Sequence, residues 1–365
     1  MKIKRLILVL AMTVALLLSL CACSKEETKD NTPKAEESSS TEASESKTEE
    51  STSKEESTSE EESTSEEEST SEEESTSEEE SKNVESGDCT PLLYRVEDSD
   101  GSVLYLFGTI HLGDDRTVFP DYVMDAYNES DFLCVEADMI AFEQDMSLQM
   151  EAVKKMLCEP GKSAKDYLGE ELYNSAVAIL EEKDLYMQAF DFYRPIMWES
   201  LLSQALIADS DLGAEYGADI QLLTMAKEDG KEVREAEGVL HQYDLLMSAG
   251  DEPVTLTVEQ LVKYKDIYVE QTNLLYKLWL TGNESLLKKA IADDYSELSD
   301  EDAAIMENYN NIIVDQRNLA MADLAEDYLE EGKTGFYAVG AAHIVGDGAL
   351  AQLLADRGYT VTIVE

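Results

Sequence analysis

Residues 103–111 read VLYLFGTIH, and residues 336–343, near the C-terminus, read FYAVGAAH. Each stretch begins as an apolar run typical of a buried strand and ends in Gly-x-x-His. Helical patterns fill most of the sequence between them. The two stretches therefore predict an α/β fold, in which N-terminal and C-terminal strands form one mixed central sheet around a large helical insertion.

The other elements follow from local patterns. Residues 92–96 and 102–109 predict a hairpin, because Asp98-Ser99-Asp100-Gly101 between them is turn-forming. Further strands are predicted at residues 131–137, 231–237, 335–339 and 360–364. Helices are predicted after Pro120, through 142–227, over 258–280, 284–291 and 301–330, and at 348–357.

The N-terminus predicts export and lipidation. Lys2, Lys4 and Arg5 precede an apolar run at residues 6–20, which is typical of a signal peptide and shorter than the roughly 20 residues of a membrane span. The sequence Leu20-Cys21-Ala22-Cys23 resembles a bacterial lipobox, and Cys23 fits best as the lipidated residue because Leu20 is bulky. We expect residues 1–22 to be a signal peptide and the chain to be lipid-anchored at the extracytoplasmic face of a bacterial cell membrane.

Residues 23–87 predict a disordered tether. Ser-Thr-Ser blocks followed by acidic residues recur every six residues, and no apolar residue recurs with them. A binding tail is the alternative to a spacer. The folded domain is predicted to span residues 88–365. The chain has a formal net charge of -52, and the predicted domain is acidic in its own right, which disfavours a nucleic-acid partner and favours divalent cations or cationic ligands.

Cysteine chemistry is not predicted to be central to this domain. Cys89, Cys134 and Cys158 are odd in number and irregularly spaced, so they predict no disulfide framework. None of them stands beside a histidine in an arrangement that would activate a thiol.

Polar residues follow several predicted strands. His111 and His343 each follow a Gly-x-x step, Glu136 ends the apolar run at residues 132–135, and Glu237 ends the strand predicted before it. Strands that end at the same edge of an open α/β sheet bring such side chains into one crevice. Two imidazoles and a carboxylate suit Zn, Mn, Co or Fe, and a second carboxylate could act as general base toward a metal-bound water. These residues predict a hydrolase.

The same segments resemble the TraB/PrgY/GumN family. They are GTIHLG at 108–113, the Val135-Glu136 pair, GAAHIVGDG at 340–348 and the terminal segment 354–361. Further matching positions are Arg194-Pro195, Glu237 with Gln242, and Arg317-Asn318. That family is similar to the Tiki metalloproteases and, more distantly, to erythromycin-esterase-like and ChaN-like proteins. The resemblance implies an erythromycin-esterase/ChaN-like fold and a metal-dependent hydrolase. Together with the lipid anchor predicted from the N-terminus, it leads us to expect a membrane-tethered lipoprotein that hydrolyses peptides.

Roles for individual residues also follow from the resemblance. It implies a divalent metal, Mn, Co or Zn, at His111, His343 and Glu136, with Glu136, Glu237 and Arg317 as the catalytic residues. It also implies substrate contacts from Arg317, Asn318 and Arg194. Glu237 departs from the family's Leu-Glu-Thr pattern, because Ala236 and Gly238 flank it, and Gln316 replaces the acid of the Glu-Arg-Asn segment.

Two alternatives stay open at this point. The domain could be a non-catalytic lipoprotein that sequesters a peptide signal, or one whose histidines hold haem or another metal ligand. Arg317, on a long predicted helix, could pair with Asp315 or Asp323 instead of serving a site. The third histidine, His241, is predicted to lie on a helix, at the surface or behind the site.

Overall fold

A computed structural model describes residues 89–364, so the predicted signal peptide at 1–22, Cys23 and the tether at 23–87 lie outside the described residues. Six strands form one sheet. They are β1 (Leu93–Glu97), β2 (Val103–Thr109), β3 (Phe132–Val135), β4 (Glu232–Glu235), β5 (Gly335–Gly340) and β6 (Thr360–Ile363). Their order in the sheet is β4-β3-β5-β2-β1-β6.

The sheet is mixed, as predicted. β5 lies parallel between β2 and β3, with Thr109 opposite Gly340 and Val135 opposite Ala338, and β4 is parallel to β3. β1 runs antiparallel to β2 and to β6. The carboxyl ends of β2, β3, β4 and β5 therefore lie along one edge of the sheet, where open α/β sheets bind ligands.

Burial explains why the central strands read as continuous apolar runs. Every residue of β5, and all of β2 except Val103, is buried, because helices cover both faces of the parallel part of the sheet. β4 and β6, at the two edges, are partly exposed.

Helices make up most of the remaining described chain. They are α1 (Asp121–Glu129), α2 (Met139–Gln144), α3 (Met146–Met156), α4 (Ala164–Leu168), α5 (Glu170–Glu182), α6 (Pro195–Ile207), α7 (Ala218–Asp229), α8 (Val239–Ser248), α9 (Glu252–Thr281), α10 (Glu284–Ile291), α11 (Asp300–Asn310), α12 (Gln316–Glu330), α13 (Ala341–Ile344) and α14 (Leu350–Asp356). Short 3₁₀ turns cover Gln188–Phe192 and Ala214–Tyr216, and a π-turn, Asn311–Asp315, joins α11 to α12.

The insertion is held to the sheet by its longest helix. α9 packs along α6, which is buried on nearly all sides and contains the fully buried Trp198. Near its C-terminal end, α9 presents the buried Trp279, whose indole N–H donates a 2.7 Å hydrogen bond to the Gly108 carbonyl of β2. Between residues 89 and 364, no helix combines the length and the apolar character that a membrane crossing requires.

The strand predicted at 335–339 matches β5, which ends at Gly340. The Gly-x-x-His motif placed His343 directly at the end of that strand, but the four residues after Gly340 form the single turn α13. His343 therefore sits on a helical turn that leaves the edge of the sheet.

Candidate functional site

A glycine allows that turn to pack against the neighbouring strand. A Cβ atom built on Gly108 would lie 3.1 Å from Cα and 3.3 Å from Cβ of Ala341, which is tighter than ordinary packing. The first glycine of the early Gly-x-x-His motif therefore permits close approach of α13, as glycines in strands commonly do. This contact sets the position of His343 above the carboxyl end of β2.

The ring of His343 is buried and held in one orientation. Its Nδ1 lies 2.7 Å from Oδ1 of Asn318, while Nδ2 of Asn318 donates to the Gly348 carbonyl at 3.1 Å. Because the amide oxygen faces the ring, Nδ1 carries the proton and Nε2 has its lone pair. Nε2 lies 4.0 Å from Oε1 of Glu136. Burial and the nearby charge of Arg317 lower the pKa of His343 to about 4, so the ring is neutral at neutral pH.

Glu136 accepts hydrogen bonds through both of its carboxylate oxygens. Directly after β3, its Oε1 accepts the Gly340 backbone N–H at 2.7 Å, and its Oε2 accepts from Arg317 at 2.6 Å and Gln242 at 2.9 Å. Burial by itself would raise the pKa of this carboxyl group. The charge of Arg317, the adjacent imidazoles and the Gly340 N–H outweigh that effect and hold the pKa well below its ordinary value. Glu136 is therefore ionised.

Arg317 joins this carboxylate to a second one. Its Nε and NH2 groups donate to Glu237 at 2.7–3.1 Å, and NH1 donates to the Ile313 carbonyl at 2.9 Å. Ile313 lies in the π-turn just before α12, where the wider winding changes the local backbone hydrogen bonding; such turns are frequent at functional sites. Burial acts against the charged form, but the two glutamates outweigh it and raise the pKa of Arg317. Gln242 of α8 also donates to Glu237, at 3.0 Å.

His111 enters from the other side with an acidic partner. Its Nδ1 lies 3.2 Å from Oδ2 of Asp219 at the start of α7. Helix α7 reaches this position because Gly217 has no side chain; a Cβ there would lie 2.5 Å from the His111 carbonyl oxygen. The Ala218 N–H also donates to the Ile110 carbonyl at 2.8 Å. Burial lowers the pKa of His111, but the charge of Asp219 outweighs it and the net shift is upward.

His111 and Asp219 leave polar atoms unsatisfied. The contact between Nδ1 of His111 and Oδ2 of Asp219 does not have hydrogen-bond geometry. Within the described part of the chain, neither Nδ1 of His111 nor Oδ1 of Asp219 has a hydrogen-bond partner, although both atoms are buried. Buried polar atoms in proteins are normally paired, so an unpaired set at a sheet edge points to a ligand site.

These groups line an open cleft. His111, Glu136, Asp219 and Gln242 form its polar wall, and the empty space is about 370 Å³. Glu237 and Arg317 are not part of the wall; they lie behind Glu136. His343 does not line the cleft either, because its ring is buried with its Nε2 4.0 Å from Glu136. The cleft thus presents one ionised carboxylate, with its charge and orientation set from behind, beside the imidazole of His111.

The structure brings together most of the predicted site residues. His111, His343, Glu136, Glu237 and Arg317 converge, and Arg317 pairs with the two glutamates rather than with Asp315 or Asp323, so that alternative is wrong.

The other predicted residues take different positions. Asn318 contacts His343 and so orients the ring. No contact joins Arg194 to the site; it forms a two-pronged ion pair with Asp251 at 2.8 and 2.9 Å. His241 is exposed on α8, consistent with its predicted surface position.

Asp219 is the site residue that the sequence did not reveal. It lies in the first turn of α7, where acidic residues are common for a different reason, since they stabilise the N-terminal end of the helix dipole. No local pattern distinguishes an aspartate that serves the helix from one that faces a histidine 108 residues earlier in the chain. Gln242, noted only beside Glu237, proves to bridge both glutamates.

The donor atoms suit a divalent metal. In both His111 and His343, Nδ1 faces a side-chain oxygen, which leaves Nε2 as the donor, and metal-binding histidines are commonly oriented this way. Glu136 contributes an ionised oxygen. In residues 89–364, however, no three His, Cys, Asp or Glu side chains are already gathered closely enough to enclose a cation. The set fits a metal by the chemistry of its donor atoms.

The fold and site define an α/β protein with a buried glutamate–arginine–glutamate cluster between two histidines. The chain belongs to the TraB/PrgY/gumN family, whose model matches residues 92–363. It is similar to the uncharacterized protein YbaP of Escherichia coli strain K12, with 27% identity over 257 residues, covering 68% of this chain and 87% of that protein. The uncharacterized YbaP of Shigella flexneri matches to the same extent. No solved structure matches the chain.

Proposed function

We propose that this protein is a metal-dependent hydrolase that acts on peptides at the extracytoplasmic face of a bacterial membrane, to which Cys23 anchors it by lipid. The observation that carries the proposal is the convergence of His111, His343 and the ionised Glu136 at one sheet edge, with Nε2 of His343 4.0 Å from the carboxylate. A relationship to Tiki-type metalloproteases, and the erythromycin-esterase/ChaN-like fold, belong to the same proposal and rest on the Gly-x-x-His motifs.

His111, His343 and Glu136 would hold the metal, which would be Mn, Co or Zn. When bound, it would supply a water made acidic enough to be a nucleophile near neutral pH. Asn318 keeps the proton on Nδ1 of His343 and so keeps Nε2 available. Asp219 does the same for His111 by attracting its Nδ1 proton.

The contacts favour different roles for the two glutamates. Glu237 accepts from Arg317 and Gln242 and lies behind the cleft wall, so it acts as a positioning residue that fixes the guanidinium. Glu136 reaches the cleft and is ionised, so it is the carboxylate placed to accept a proton or to bind the metal. Arg317 holds Glu136 from behind, and this role takes precedence over the predicted direct contact with substrate.

The test compares three histidine variants of the full chain: His111→Ala, His343→Ala and, as the matched control, the exposed His241→Ala. Bound metal is measured after purification, and peptide cleavage is followed with added Mn²⁺, Co²⁺ or Zn²⁺. We expect the first two variants to lose both metal and cleavage, and His241→Ala to keep both.

Three outcomes would contradict the proposal. Metal content equal in all three variants would remove the metal site from this edge of the sheet. If the wild-type protein binds a peptide at the cleft but cleaves it with none of the three metals, the non-catalytic binder is favoured. Haem absorbance in the purified protein would favour the haem-binding form of that alternative.

A further inference from the structure

A second cavity adjoins the cleft and shares His111 with it. Its walls come from the end of β2, from α9, from α10 and from α13, and it contains about 520 Å³ of empty space, including its mouth. Leu275, Trp279 and Leu287, which form much of the wall, are at most 8% exposed. We call this cavity the apolar pocket.

The apolar pocket presents almost only carbon atoms. Apart from His111 at its boundary, none of the residues around it carries a charged side chain. Its two aromatic residues direct their polar atoms elsewhere: the Trp279 N–H donates to the Gly108 carbonyl, and the Tyr276 hydroxyl donates to Asp114 at 2.9 Å. Because these hydrogen bonds hold both rings in place, the pocket is preformed and offers a ligand no polar partner beyond its rim.

The apolar pocket and the cleft share part of their walls. Thr109 and His111 line both. Gly340, which also lines the apolar pocket, donates its backbone N–H to Glu136, the carboxylate of the cleft, at 2.7 Å. When the reacting bond of a bound molecule lies at Glu136, the group next to that bond can therefore reach the apolar pocket.

We infer that the apolar pocket binds an aliphatic or aromatic side chain of the peptide, next to the bond that is cleaved, and so determines which peptides the protein accepts. This inference rests on the proposed hydrolase, whose substrate it specifies. A polar side chain would lose its hydrogen bonds to water on entering the pocket and find none in return, whereas an apolar one gains by leaving water.

The experiment uses two peptides that differ in one side chain of similar size, N-acetyl-Ala-Leu-Ala-amide and N-acetyl-Ala-Gln-Ala-amide. Binding to the full chain is followed by tryptophan fluorescence, for which Trp279 in the wall is the reporter, and cleavage by kcat/KM with metal present. Leu275→Asn makes the wall polar. Leu274→Asn, on the same helix but outside the pocket, is the matched control.

We expect the leucine peptide to bind, and to be cleaved, at least about tenfold better than the glutamine peptide, which is the scale of discrimination available to an apolar pocket. Leu275→Asn should reduce that ratio to near one, and Leu274→Asn should preserve it. If Leu275→Asn does not fold, Ile291→Asn, at a partly exposed position of the same wall, replaces it.

Failure of this inference differs from failure of the proposed function. Cleavage of both peptides at equal rates and with equal affinity would overturn the inference and leave the hydrolase intact. Preferential binding of the leucine peptide without cleavage of either would support the pocket and contradict the hydrolase. If Leu275→Asn still prefers the leucine peptide to the glutamine peptide, the side chain binds elsewhere, and this result would also overturn the inference.

Discussion

Arg317 controls the electrostatics of the site from behind the cleft. It lies between Glu136 and Glu237, and its side chain is only 15% exposed. One guanidinium contacts both carboxylates, and its charge offsets the cost of burying them beside each other. The chain therefore keeps Glu136 charged while leaving its other oxygen beside the histidines.

Replacing Arg317 with methionine should strongly destabilise the protein. The two glutamates would remain buried without their cation, and breaking such a pair typically costs about 3–5 kcal/mol of the free energy of unfolding. Urea denaturation measures the loss. The double variant Arg317→Met with Glu237→Gln should recover part of it, because one carboxylate charge is removed.

A surface arginine provides the comparison. Arg357 pairs with the exposed Asp323 and with Glu326, and Arg357→Met should change the free energy of unfolding by no more than about 1 kcal/mol. A similar small change in Arg317→Met would show that Arg317 is not needed to stabilise the buried carboxylates.

His343 gives the stability a defined pH dependence. Its pKa is about 4 in the folded protein and 6.5 ordinarily, because burial and Arg317 disfavour the imidazolium while Glu136 and Glu237 only partly oppose them. Below pH 6.5 the unfolded chain takes up a proton that the folded chain does not. The contribution of His343 to the free energy of unfolding is therefore fully present above pH 6.5. It is lost as pH falls toward 4, and the total loss is roughly 3 kcal/mol.

The measurement compares wild type with His343→Gln in EDTA between pH 7.5 and 4, and His241→Gln serves as the control. The decline in the free energy of unfolding below pH 6.5 should be smaller in His343→Gln and unchanged in His241→Gln. His111, whose pKa is raised, acts in the opposite direction and is present in all three proteins. Parallel curves for wild type and His343→Gln would rule out this assignment.

At the scale of elements, Gly282 allows the end of α9 to pack closely against the start of the described residues. Gly282 ends α9 with φ +60°, and a Cβ there would overlap the Thr90 carbonyl oxygen. The Thr90 N–H donates in turn to the Leu280 carbonyl at 2.8 Å. The helix that carries Trp279 thus ends against the segment that leads into β1.

Two glycine-to-alanine variants separate backbone strain from steric contact. Gly332 has φ +69°, and no atom lies within 4 Å of the position that an alanine methyl group would take there. Gly332→Ala should therefore cost only the left-handed backbone penalty, about 1 kcal/mol. Gly282→Ala carries the same penalty and also a clash with Thr90, so it should cost at least about 1–3 kcal/mol more. Thermal and urea unfolding measure both, and equal losses would contradict the close contact.

The strands of the sheet could be predicted because their sequence patterns are distinctive. β2 and β5 are apolar runs buried on both faces, and a Gly-x-x-His motif marks where each of these two strands ends at the sheet edge. Since parallel strands end at a common edge, the meeting of His111, His343 and Glu136 followed from topology alone.

Other features depended on contacts that no short pattern encodes. The region 142–227 was predicted as helical throughout, but it divides into α2 to α7 with two 3₁₀ turns. The π-turn before Arg317 has an ordinary helical sequence. The turn α13 is too short to show a period, and Asp219 reaches His111 only because α7 docks on the segment after β2.

At the scale of the whole molecule, the site joins segments that are far apart in the chain. His111 follows β2, Glu136 follows β3, and Asn318 and His343 come from α12 and α13, so a ligand bound among them links the first strands of the domain to the last. In the unfolded chain these residues are separated by up to 232 positions. A ligand that needs all of them binds the folded state only, and its binding energy adds to the stability of the whole domain.

A metal at the site should therefore raise the melting temperature of the full chain. At one hundred times its Kd, a ligand specific for the folded state contributes about 2.7 kcal/mol. In a domain of this size that corresponds to a rise of roughly 5–10 °C. Calorimetry in EDTA and then in excess Mn²⁺, Co²⁺ or Zn²⁺ measures it. His111→Ala and His343→Ala should abolish the rise, and His241→Ala should retain it, whereas an equal rise in all three would place the stabilising cation away from this edge of the sheet.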